Sequence, residues 1–254
     1  MRSTAWLVIA SALAITTVAN GATAQTIASR VNAVRDGSVQ MTFATRPGVC
    51  GDGHGSITMH NGDGSYGYDS RNFRCVVGPM LVTIGRADGQ TVSIRQCVAC
   101  RPSTSDATTL GDVPPIDAAR YLLSIAAGLG GRNADDAIAA AALADADNLA
   151  PEIGRIIRDD NATLQSRKQA LFWLGKTTAS TQDLVALDGS LKSFALREQY
   201  TFVLSQRRDD TALNKLMDIA LHDSDIETRK RALFWIGQSH DPRALQFFKD
   251  ILRR

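Results

Sequence analysis

"RKQALFWLGK" occupies residues 167 to 176, and "RKRALFWIGQ" returns at 229 to 238. A weaker copy, "REQYTFVLSQ", lies between them at 197 to 206. Arg167, Arg197 and Arg229 therefore open three copies, at spacings of 30 and 32 residues. Leu164, Phe194 and Ile226 stand three residues before each Arg, Phe172, Phe202 and Phe234 five after it, and Leu174, Leu204 and Ile236 seven after it. Gly175, Ser205 and Gly237 then supply a small residue. Helical spacing is expected to put Leu164, Leu171 and Leu174 on one face. Amphipathic partner segments lie between the copies, at 148 to 160, 182 to 187, 211 to 223 and 242 to 254. A period of one helical hairpin predicts a short α-solenoid over 148–254, in which the phrase recurs because each copy buries the next.

Upstream the pattern changes. "SVQMTF" at 38 to 43 alternates Val39, Met41 and Phe43 with polar residues, the period of a half-buried strand, and "SITM" at 56 to 59 is a second short candidate. In "MLVTIGRADGQTVSIRQ" at 80 to 96, Val82 and Ile84 alternate, Asp88-Gly89 turns the chain, and Val92 and Ile94 resume the alternation. Residues 25–105 are thus expected to form a small β-rich domain, with a core thin enough for disulfides to be useful. A polar, Pro-rich stretch reads as a linker over 106–115. Pro114 and Pro115 open a helical run that Gly128 and Gly130 close, and 116–147 is expected to cap the first repeat. The predicted fold is α+β with two domains: a small β-rich N-terminal domain followed by a short α-solenoid of helical hairpins.

The first 24 residues combine one Arg, an apolar run from Ala5 to about Val18 and Ala-Thr-Ala before Gln25. That is the layout of a secretory signal peptide cleaved near Ala24. The run is too short for a spanning helix, so no membrane span is expected after cleavage. The mature chain is then periplasmic or secreted, a compartment in which cysteines form disulfides rather than zinc sites. Cys50, Cys75, Cys97 and Cys100 all precede the repeats. They pair most naturally as Cys50 with Cys75 and Cys97 with Cys100, although four cysteines permit three connectivities. Lys and Arg total 28 against 26 Asp and Glu, scattered along the chain, which gives no basic stripe for nucleic acid.

The spacing of the copies, the Asp-rich turn before Arg in "HDSDIETRKRALFWIGQ" and the "DPRAL" that follows resemble HEAT repeats, in particular the bacterial HEAT-like repeats first associated with phycobilisome lyases. The resemblance covers about 148–254 and weakens in the middle copy, where Thr201 and Val203 replace Leu171 and Trp173. As a whole the layout is similar to exported bacterial proteins that carry HEAT repeats. It implies a ladder in which a turn Asp meets the following Arg. Asp223 with Arg229 matches that pattern, Asp160 with Arg167 matches it less well, and Asp188 is the only candidate for Arg197.

Arg167, Arg197 and Arg229 are accordingly read as structural, with stems against the next repeat and heads on turn carboxylates, rather than as a cationic row awaiting a partner. Trp173 and Trp235 are read as core rather than as exposed anchors. The HEAT-like fold carries iron in deoxyhypusine hydroxylases, but those need His-Glu dipeptides, and His54, His60, His222 and His240 form none. Asn61, Asp63 and Ser65 have the alternate spacing of a calcium loop, yet Tyr66 stands where Gly is required and the bidentate Glu is missing. Gly-rich turns explain the same letters. Cys97-Val98-Ala99-Cys100 leads into no helix that would activate a thiolate. With no nucleophile–base motif, phosphate loop or HExxH, no catalytic residue, metal or cofactor is expected. The expected function is a non-catalytic scaffold that binds an envelope or extracellular protein through the repeats. The alternatives are a lyase-type enzyme of the HEAT-like class, and a β domain that carries the function with the repeats as spacer.

Overall fold

The computed structural model describes residues 22–61, 64–67, 74–103, 105 and 107–253, and of residues 22–25, 61 and 64–67 only the backbone. The expected signal peptide, apart from its last residues, lies outside them. Helix α1 (Ala22–Asn32) spans the expected cleavage position near Ala24, and its buried residues, Ile27 and Val31, come after it.

The β-rich part has seven strands among the described residues. β1 (Gly37–Phe43), β5 (Met80–Ala87), β6 (Gln90–Val98) and β7 (Ala107–Asp112) form a four-stranded sheet in the order β6-β5-β1-β7. β2 (Val49–Gly51), β3 (Ile57–Asn61) and β4 (Gly64–Gly67) form a three-stranded antiparallel sheet. Val39, Met41 and Phe43 point into the core, as their alternation requires. Asp88 and Gly89 both have positive φ, the conformation a two-residue turn needs to match strand twist. The register slips between Gly85 and Arg86, so Val92 is the extra residue of a bulge. Val92 is therefore exposed, where alternation alone would bury it with Ile94.

The expected linker is a correction. Residues 107–112 form β7, which runs parallel to β1, and Val113 N–H then donates to the Thr42 carbonyl at 2.8 Å. "ATTLGD" is read as a linker because it lacks apolar alternation; as an edge strand it needs only Leu110 to face inward, and Leu110 is buried. The Arg30 guanidinium on α1 donates to the Leu110 and Thr109 carbonyls and fastens this edge.

Among the described residues nine α-helices follow the sheet without a spacer. α2 (Pro115–Ala126) and α3 (Gly131–Leu143) pack on one another, α1 packs on α2, and α3 lies against β6. Asn133 fixes that junction by accepting from Ile94 N–H and donating to the Val92 carbonyl. α4 (Ala150–Arg158), α5 (Leu164–Lys176), α6 (Thr181–Val185), a 3₁₀ turn at Asp188–Ser190, α7 (Phe194–Ser205), α8 (Asp210–His222), α9 (Ile226–Gly237) and α10 (Pro242–Leu252) complete the chain. α3, α5, α7 and α9 each touch the next, forming one row, while α4 backs α5 and α8 backs α7 and α9. Thr163, Ser193, Asp209, Asp225 and Asp241 cap their helices through side-chain oxygens, which is why each begins at a polar letter. One hydrophobic cluster runs from Ile27 to Ala244, so the sheet and the first helices share a core. Within the helical row, Leu174, Leu204 and Ile236 are buried.

Candidate functional surface

The α5, α7 and α9 row has two apolar faces. Residues two positions apart on a helix differ by about 200° of rotation. If Leu174, Leu204 and Ile236 point into the core, then Phe172, Phe202 and Phe234 cannot, and in the structure none of the three is buried. Leu164, Phe194 and Ile226, which start the helices, are 47%, 41% and 54% exposed. This corrects the expectation that Leu164 shares a buried face with Leu171 and Leu174. First-turn residues project past the end of the neighbouring helix and find little to pack against. The clue was already present in the letters: apolar residues at both five and seven after Arg demand two faces.

Trp173 and Trp235 are half-buried, not fully inside. Their positions meet the preceding helix of the row. The Trp235 ring lies 5.4 Å from Phe202 on α7 and 4.9 Å from its neighbour Phe234. Trp173 stands edge-on to Phe172 at 5.3 Å and faces Ala139 and Leu143 of α3 across a cavity. Val203 takes the place of Trp on α7, and its Cγ1 would sit 2.5 Å from a Cβ added to Gly175. Gly175 is small because α7 approaches α5 there. The result is an aromatic strip, Phe172–Trp173, Phe202 and Phe234–Trp235, that crosses three helices on one side. Arg231 pairs with Glu198 across α7 and α9 at 2.9 Å, and Lys176 lies over the Phe172 ring.

The arginines hold the turns; Arg167 meets the expected Asp160, whereas Arg197 and Arg229 make other contacts than those expected. Arg167 donates from Nη1 to Asp160 at 2.9 Å and from Nε to the Ile157 carbonyl at 2.8 Å. Arg197 does not use Asp188. Its Nε and Nη2 donate to the Asp223 carboxylate, which belongs to the next turn of the row, and Nη1 donates to the Leu191 carbonyl. Arg229 takes the Asp223 backbone carbonyl at 2.6 Å, not its carboxylate. Asp188 pairs instead with Lys215 at 2.8 Å. The physical reason is that Asp223 sits at the C-terminus of α8, where packing of α7 on α8 brings Arg197 closer to the carboxylate than sequence distance suggests.

Several titratable groups are perturbed. Burial holds Asp136 above the usual carboxylate range, against the opposing pull of Arg132, and burial does the same to Asp135. Burial lowers Lys215, but hydrogen bonds to Asp188 and Asp218 outweigh it, and the ammonium is held above its ordinary value. Donation from Arg243 pulls Asp241 down to about 2. Lys215 and Asp241 each belong to an ion pair at a turn or helix end, the usual place for structural pairs.

The cysteines pair as Cys50–Cys75, with Cα atoms 5.3 Å apart, and Cys97–Cys100, 5.7 Å apart. Cys50, Cys75 and His60 lie within 4.8 Å of one another, the one such cluster among the described residues, but the two sulfurs are bonded to each other. Asp63 of the calcium-like spacing lies outside the described residues, as do the side chains of Asn61 and Ser65. An open, polar cavity of about 620 Å³ near the α7–α8 and α9–α10 turns is lined by Arg207, Asp209, Trp235 and His240. Among the described residues no helix is long and apolar enough to cross a membrane. No protein-family model, curated protein or solved structure matches the chain.

Proposed function

We propose that α3–α10 form a short solenoid of HEAT-like hairpins, and that the chain is an exported, non-catalytic scaffold whose aromatic strip binds another polypeptide of the envelope or extracellular space. One observation carries the reading: Phe172, Phe202 and Phe234 recur at equivalent positions of three helices and none of them is buried, whereas Leu174, Leu204 and Ile236 two positions on all are. A repeat that needed only a core would gain nothing from an outward Phe at the same place three times, and open apolar patches on soluble domains mark interaction sites. An extended row of helices offers a long surface and little enclosed volume, which suits a polypeptide better than a small substrate. The two disulfides fit an oxidising compartment. The shared core between sheet and helices counts against the sheet as a separable module with the helices as spacer.

The test compares the mature chain with a Phe172→Ser, Phe202→Ser, Phe234→Ser variant, each carrying a photo-crosslinker at Gln199 and exposed to envelope extract. The reading requires a saturable adduct with the parent chain that the variant loses while its far-ultraviolet circular dichroism is unchanged. Equal adducts from both, or none that saturates, sink it.

A further inference from the structure

Backbone contacts, in addition to the S–S bond, bring Cys50, Cys75 and His60 to one place. Cys50 is on β2 and His60 on β3, and the His60 N–H donates to the Gly48 carbonyl at 2.9 Å. Gly48 has positive φ, and a Cβ there would lie 2.3 Å from the His60 carbonyl oxygen, so a glycine is what lets the chain close up on β3. On the other side, Gly51 and Val76 exchange both backbone hydrogen bonds, at 3.0 and 2.8 Å, which seats Cys75 beside Cys50. His60 Nδ1 stands 3.9 Å from Cys50 Sγ, and the donor atoms of the three residues all lie within 4.8 Å of one another. Cys50 is buried, whereas His60 and Cys75 are exposed and give a cation a way in.

Two sulfurs and an imidazole nitrogen are the donor set of a thiophilic cation. Zinc bonds of about 2.3 Å to sulfur and about 2.0 Å to nitrogen put tetrahedral donors roughly 3.5–4 Å apart, close to the spacing already present. We propose that Cys50, Cys75 and His60 form a redox-gated site for zinc or another thiophilic divalent cation. In the oxidised chain the sulfurs are spent on each other and the site is shut. A dithiol reductant passes two electrons and two protons to the disulfide, becomes a disulfide itself and leaves two thiols. The cation then displaces both thiol protons and takes His60 through Nδ1, with the fourth position left to water. In an oxidising compartment the disulfide is the resident form, so metal uptake reports the arrival of a reductant. The site lies outside the helical row and does not depend on the aromatic strip or its partner.

The experiment uses the mature chain with Cys97→Ser and Cys100→Ser, so that one disulfide remains, and Co²⁺ as the probe. The chain is titrated oxidised, and again after reduction with dithiothreitol and anaerobic gel filtration. The reduced chain is expected to bind one Co²⁺ with a thiolate-to-cobalt charge-transfer band and to release about two protons, and the oxidised chain to do neither. His60→Gln, a change at an exposed position, should weaken uptake by at least about tenfold. Equal uptake by the oxidised chain, equal uptake by the His60→Gln variant, or none by the reduced chain overturns the proposal. If reduction loosens the fold, Zn²⁺ should restore the melting temperature of the reduced chain, and a melting temperature that Zn²⁺ leaves unmoved overturns it as well.

Discussion

Replacing Asp223 by Ala removes the contact that ties α7 to the turn before α9. The carboxylate is 1% exposed, accepts from two nitrogens of Arg197, and accepts from Asp225 N–H at 2.8 Å. Truncating one partner of a buried pair costs about 3–5 kcal/mol, because the surviving charge is left without compensation. The Arg197 side chain is 24% exposed and regains some water, which places the expected loss near the lower end, about 3 kcal/mol. Against a total stability of roughly 5–15 kcal/mol this is a large fraction. With a urea m-value of about 3 kcal/mol/M, the midpoint falls by about 1 M at unchanged slope. The internal control is Asp160→Ala. Asp160 also meets an arginine, at 2.9 Å, but its side chain is 70% exposed, so its loss should cost under about 1 kcal/mol. Urea unfolding followed by circular dichroism at 222 nm measures both. Equal midpoints for the two variants would refute the argument that burial, rather than pairing as such, gives Asp223 its weight. Removing both charges, as Arg197→Met with Asp223→Leu, is expected to recover part of the loss.

Gly175→Ala should destabilise by about 1–3 kcal/mol, since the new Cβ meets the stiff Val203 Cγ1 at 2.5 Å, whereas Gly237→Ala meets only Phe248 at 3.8 Å and should stabilise by about 0.5–1 kcal/mol. Urea midpoints check the opposite signs, and Val203→Ala should rescue Gly175→Ala. Asp136→Asn should raise stability at neutral pH. Burial lifts the native pKa above the unfolded one, so the native state binds the extra proton; that charge penalty is complete above the raised pKa and disappears as pH falls to the unfolded value near about 4. Melting curves of parent and variant should therefore converge on acidification, and a constant gap from pH 7 to 3 counts against it. Cys50→Ser with Cys75→Ser opens a 25-residue span and should cost about 3 kcal/mol, seen as a melting-temperature drop no larger than that produced in the parent chain by a reductant, which opens both disulfides.

The helical half is legible because repetition multiplies a weak signal. Three copies in one frame place α5, α7 and α9, and the polar letters before them, Thr163, Ser193 and Asp225, mark where they start. The hairpin at Asp88-Gly89 and the inward Val39, Met41 and Phe43 are equally local, since a turn's backbone angles and a strand's period of two depend on neighbours in the chain. The cysteine pairs were favoured by proximity in sequence, and the structure has the same two.

What packing decided is of another kind. β7 has one inward residue, Leu110, and no alternation to announce it; it exists because β1 offers an open edge. Val92 is exposed because a bulge slips the register by one. Arg197 reaches Asp223 across 26 residues instead of Asp188 at nine, because the stacking of helices, not chain distance, sets which charge is near. The cavity behind Phe172 and Trp173 draws on β3, β6, α3 and α5, four elements that no periodicity links. Local interactions write an element's identity into its own residues, whereas a surface shared by distant elements is written only where they meet.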